Sequence, residues 1–120
     1  MNEIEIQRML DMLLQATREN KLIWEKEFIN GIEGFRTTID GCKILIFTSY
    51  NPMDECWEGH LDLYNSDSIL FFSGTYSSNI HTYIYNVIYN LTLLINDILL
   101  QITQSKNKIL DGLERILYGM

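Results

Sequence analysis

Residues 79–104, "NIHTYIYNVIYNLTLLINDILLQITQ", constrain the fold more than any other stretch, because so long a run of apolar side chains has to be covered by something. Its polar positions are ordered. Asn79, Thr82, Asn86, Asn90, Asp97, Gln101 and Gln104 recur at three- and four-residue steps, with Leu93 alone breaking the series. That spacing predicts a helix with one narrow solvent stripe. Opposite the stripe lie Ile80, Tyr83, Ile84, Val87, Ile88, Leu91, Leu94, Ile95, Ile98, Leu99 and Ile102, a wide apolar face suited to lying across a sheet. A transmembrane span needs about 20 predominantly apolar residues and would not hold Asp97 and several asparagines against lipid, so a core helix is expected and a membrane is not.

That answer leaves a remainder. Leu93, Leu100, Tyr85 and Tyr89 sit at or beside the polar stripe, more apolar surface than one small sheet covers. "SKNK" predicts a break or kink near Ser105, after which Ile109, Leu110, Leu113, Ile116 and Leu117 form a last amphipathic helix that folds back over that flank. If the chain instead runs straight, the uncovered strip favours a homodimer through the C-terminal helices or a docked partner.

The earlier chain supplies the sheet. Asn2 with Glu5 three residues on is a capping-box start, and Ile6, Met9, Leu10, Leu13, Ala16 and Thr17 then recur at helical spacing to a stop near Asn20. From Lys21 the period becomes two, "INGIEG" is a Gly-bearing turn, and Asp40-Gly41 marks a tight hairpin into "CKILIFTSY". "NPMDECWEG" reads as an acidic loop, followed by strands "HLDLYN" and "SILFFSG" joined across Ser66 and Asp67. The expected fold is one α+β domain: an N-terminal helix, a four- to five-stranded antiparallel meander, and a long C-terminal helix packed on one face.

Charge bounds the partners. Sixteen acids against nine basic residues give −7, which disfavours direct nucleic-acid binding, since that needs clustered Lys and Arg. No Lys or Arg falls between Lys43 and Lys106, a stretch holding Asp54, Glu55, Glu58, Asp62, Asp67 and Asp97. The start "MNEIEIQRML" has acids where a signal peptide has a basic, then apolar, run; a cytoplasmic location with two reduced cysteines is expected. Cys42 begins one strand and Cys56 precedes its antiparallel partner, placing them near opposite ends.

Constellations for chemistry are sparse. Cys56 and His60 supply a thiol and an imidazole, but a structural zinc site wants four ligands, with Cys42 and His81 converging from elsewhere. An acidic loop with a buried thiol explains the residues with fewer assumptions. Nucleophilic catalysis by Cys56 with His60 lacks an orienting third group, so no catalytic residue, metal or cofactor is expected. Ser77, Ser78 or Asn79 reads as a helix cap rather than an anion site. Tyr76, Tyr83, Tyr85 and Tyr89 crowd one region, as core residues, an interface or a stacking platform for a small planar ligand.

"LLQATRENKLIWEKE", then "FRTTIDGCKILIF" and "LDLYNSDS", resembles a loose set of small bacterial and mobile-element proteins, in which a helix ending Leu-Leu-x-Ala-Thr leads through a Lys-x-x-Trp strand into a meander. The resemblance covers most of the chain, rests on Leu13, Leu14, Ala16, Thr17, Lys21 and Trp24, and implies an α+β fold in a prokaryotic or phage setting with no assigned activity. The apolar richness of residues 79–104 departs from it. The expected function is a non-enzymatic acidic protein-binding module, an inhibitor, immunity or antitoxin-like factor or a phage anti-defence protein. Asp54, Glu55, Glu58, Asp62 and Asp67 would meet a basic protein, by steering. The alternative is a small-ligand-binding or sequestering oligomer built on the four tyrosines.

Overall fold

Local chemistry sets each element of the computed structural model, which describes residues Met1–Gly119. Helix α1 (Glu3–Arg18) opens with the expected capping box: the Asn2 side chain accepts from the Glu5 amide at 2.9 Å and the Glu5 carboxylate accepts from the Asn2 amide at 3.2 Å. It closes beside Asn20, which takes a left-handed φ of 55°. Ile6, Leu10, Leu13 and Thr17 form its buried face.

Five strands follow: β1 (Glu25–Ile29), β2 (Ile32–Ile39), β3 (Cys42–Asn51), β4 (Cys56–Tyr64) and β5 (Leu70–Ser77), paired in chain order as an antiparallel meander. Two of the turns have one chemistry. Asn30-Gly31 and Asp40-Gly41 both carry φ values of 50° and 81°, the double positive φ that lets a two-residue turn follow the twist of its strands. Strand β2 therefore begins at Ile32, earlier than the alternation from Phe35 indicates. Strand β1 in turn begins only at Glu25, because Trp24 is drawn into the core.

Trp24 shows how the first helix is tied down. Its indole Nε1 donates to Thr17 Oγ1 at 2.9 Å, and the Thr17 hydroxyl donates to the Leu13 carbonyl at 2.7 Å, all buried. Burial of the indole is compatible with its polar edge only because that partner is present.

Across the sheet, Phe35, Ile46 and Leu61 are opposed in one row and Thr37, Ile44, Leu63 and Phe72 in the next, all on the same face. This face meets α1 and helix α2 (Thr82–Tyr118) in the main core with Ile84, Ile88, Leu91 and Ile95. Each fully buried Leu or Ile contributes about 1.5–3 kcal/mol relative to exposure. Gly59 lets α2 approach: a Cβ there would lie 3.1 Å from Ile88 Cδ1 and 3.2 Å from its Cγ2.

Two expectations for α2 are corrected. The helix is unbroken through Ser105, a single element of 37 residues. Ser, Lys and Asn cost a helix little, and neither Pro nor an inserted side chain interrupts the ladder there. Its start is Thr82, with His81 as a cap that makes no side-chain bond. The Ser77 hydroxyl is engaged one turn earlier, accepting from the Asn79 and Ile80 amides. Because α2 overshoots the sheet, the molecule measures 59 × 35 × 26 Å.

Candidate functional site

The sheet has a second face, which no helix covers among the described residues. Alternation places Glu25, Glu27, Arg36, Lys43, Leu45, Phe47, Ser49, Glu58, His60, Asp62, Ser73 and Thr75 there. At its centre the His60 ring stacks on Phe47, with centroids 4.3 Å apart and planes 9° from parallel. Ser49 Oγ lies 2.8 Å from His60 Nε2 and Thr75 Oγ1 lies 3.2 Å from Nδ1. Both ring nitrogens are thus occupied by hydroxyls, one as donor and one as acceptor in the neutral imidazole. Burial holds this imidazole below its ordinary range, against the opposing pull of Glu58 and Asp62.

Charge divides the face in two. On the β1–β3 side, Arg36 bonds Glu25 at 2.6 Å and lies 3.9 Å from Glu27, and Lys43 lies 3.8 Å from Glu27 and 4.1 Å over the Tyr64 ring. On the β4–β5 side, Asp62 accepts from Ser73 Oγ at 2.6 Å, and neither Asp62 nor Glu58 has a cationic partner among the described residues. Glu58, His60 and Asp62 alternate along β4, so both carboxylates stand on the open face beside the imidazole.

The five acids singled out by sequence do not form one cluster. Asp54 and Glu55 belong to the β3–β4 connection, where the Asn51 side chain accepts from the Met53 and Asp54 amides and Glu55 takes a φ of 50°. Asp67 lies in the β4–β5 turn at the other end of that strand, its amide bonded to Asn65 Oδ1 at 2.9 Å. The nine residues of β4 separate the two ends by roughly 30 Å. Glu58 is a strand residue rather than part of the loop.

The tyrosines separate as well. Tyr76 is a core residue whose ring lies across Gly74, where a Cβ would fall 2.5 Å from the phenol oxygen. Tyr83 reaches α1, donating to Asp11 at 3.2 Å, a bond that raises its pKa. Tyr85 stacks on Tyr89 at 6.0 Å, with Tyr85 buried and its phenol pushed up by burial. They form no single platform. Cys56 and His60 stand four residues apart on one strand, about 13 Å, beyond any dyad contact. Among the described residues no three His, Cys, Asp or Glu side chains converge to hold a metal ion.

Two further features bear on function, the first without a signal in the sequence and the second anticipated there for a straight α2. A groove of about 620 Å³ opens between α1 and the end of the sheet, lined by Met9, Met12, Leu22, Ile39, Ile44 and Phe71, with Arg8 and Lys43 also in its wall. Arg8 makes no ion pair among the described residues. The other is the length of α2 that passes the sheet: Leu100, Ile102, Ile109, Leu110, Leu113, Ile116 and Leu117 are 48% to 80% exposed. By length and composition α2 could cross a membrane, yet Ile84, Ile88, Leu91 and Ile95 in its first half are fully buried.

No family model, curated protein or solved structure matches this chain.

Proposed function

We propose that this chain is a non-enzymatic protein-binding module that seats a basic protein on the helix-free face of its sheet, as an inhibitor, immunity or antitoxin-like factor or a phage anti-defence protein does. One observation carries the reading. The cations of that face, Arg36 and Lys43, are engaged by Glu25 and Glu27, while Glu58 and Asp62 stand uncompensated around His60. A partner's Lys or Arg placed there gains a carboxylate that no other cation holds, on a rigid strand, with Phe47 and Leu45 between the charges as an apolar floor. Asp54 and Glu55 extend the negative potential at one end and Asp67 at the other, which steers approach more than it adds contact. Affinity capture from native-host lysate, run beside the E58K/D62K variant, tests it: a specific protein retained by the native chain and lost from the reversed one supports the reading, and equal capture by both contradicts it.

The groove beside α1 favours a second reading, a small-ligand binder, relocated from the tyrosines. Its apolar lining with the free Arg8 in the wall suits an aliphatic molecule with one anionic end. Displacement of a fluorescent fatty acid that the R8E variant no longer binds would support this reading; absence of binding by the native chain would remove it.

A further inference from the structure

The stripe with which α2 lies on the sheet does not stop where the sheet stops. Continuing at helical spacing from Ile88, Leu91 and Ile95, it runs through Leu99, Ile102, Lys106, Ile109, Leu113 and Ile116. These six positions alternate by three and four residues, the a and d spacing of a heptad, and all beyond Leu99 are exposed. Ser105 and Gly112 fall on one shoulder of this seam and leave room for a close neighbour.

We infer that residues 98–117 of α2 pair with the same segment of a second copy as an antiparallel two-stranded coiled coil. A nearly neutral tail does not repel its own copy, and charge selects the direction of pairing. Residues 100–119 carry Lys106, Lys108 and Arg115 against Asp111 and Glu114, nearly neutral, whereas residues 1–99 carry six basic and fourteen acidic side chains. Parallel pairing would bring two such acidic bodies side by side. Antiparallel pairing sets them at opposite ends of a segment about 30 Å long, several screening lengths apart at physiological salt.

One register uses every seam position. Leu99 then faces the second copy's Ile116, Ile102 its Leu113, and Lys106 its Ile109, and the overlap ends where each body begins. At that root a groove of about 600 Å³, lined by Asn20, Ile98, Ile102, Ser105 and Ile109, is placed to receive the tip of the other helix. Lys106 inside the seam lowers stability and disfavours shifted registers. At roughly 80 Å² for each buried Leu or Ile side chain, the seam and its flanking Leu110 and Leu117 remove on the order of 1,000 Å² from water across both copies. That reaches the area of about 1,000 Å² that a biological interface needs and marks a weak, reversible dimer.

This inference stands apart from the acidic-face reading, since the sheet face remains open in the pair. Sedimentation equilibrium of the full chain tests it first: the native protein should run at twice its 14.1 kDa mass, and I109D/L113D at the monomer mass, still folded by circular dichroism and with a melting temperature that, unlike the native one, no longer rises with protein concentration. Direction is read by oxidising L99C and I116C variants alone and mixed. Mixed samples should give a crosslink that peptide mapping assigns between positions 99 and 116. A native chain that stays monomeric at high micromolar concentration overturns the inference, as does a dimer unaffected by I109D/L113D, or one in which like positions crosslink.

Discussion

Replacing Thr17 with Val removes one hydroxyl and keeps the side-chain shape, so its effect isolates the buried bond that joins α1 to the segment entering the sheet. The Thr17 hydroxyl accepts from Trp24 Nε1 at 2.9 Å while donating to the Leu13 carbonyl at 2.7 Å. Thr17 is 1% and Trp24 5% exposed, so water does not replace the lost partner. An indole N–H left buried and unpaired costs about 1–3 kcal/mol, well above the few tenths gained from a more apolar side chain. Urea unfolding should show T17V destabilised by about 2 kcal/mol with an unchanged m-value, and melting should fall by roughly 5–10 °C. In the W24F background, where no donor remains, the same substitution should cost close to nothing. Additivity of the two changes, or a T17V protein as stable as the native chain, would refute the reasoning.

Further outcomes follow from the same geometry. Gly59→Val should push Ile88 off the sheet and cost about 1–3 kcal/mol by denaturant unfolding, since even a Cβ there sits 3.1 Å from that side chain. His60 is neutral-favouring in the folded state, its pKa lowered from 6.5 by burial. As pH falls below about 6.5 the unfolded chain binds the proton first, so stability present at higher pH is lost toward pH 5. The melting temperature of H60Q should therefore fall less than that of the native chain between pH 7.5 and pH 5.

Much of the fold was legible because its local signals agree. The capping box at Asn2, the left-handed Asn20, the Asp40-Gly41 turn and the polar stripe along α2 each point to the element found there. Trp24 was not separable from its strand by periodicity, because a single indole bond to Thr17 decides where β1 begins. The run "SKNK" looked like a break because it is polar on all sides. Polarity there reflects only that the helix has left the body, and nothing in those residues opposes helical geometry.

Site residues were harder to read for a physical reason. Closeness in sequence within residues 54–67 implied one acidic patch, but an extended strand spreads its ends roughly 30 Å apart and sends alternate side chains to opposite faces. Only Glu58 and Asp62, separated by an even number of positions, share a face with His60. The hydroxyls that hold His60 come from β3 and β5, and their placement required the register of two strand pairs. The tyrosines were dispersed in the same way, Tyr76 into the core and Tyr83 toward Asp11.

The most direct measurement of the central claim is the affinity of the captured protein for the native chain and for E58Q/D62N across a range of ionic strength. Removing two uncompensated carboxylates at the contact should weaken binding at least tenfold at low salt and flatten its salt dependence, since the charges that screening acts on are gone. Equal affinity and an equal salt slope in the two proteins would contradict the claim that a basic partner is seated on the helix-free face of the sheet.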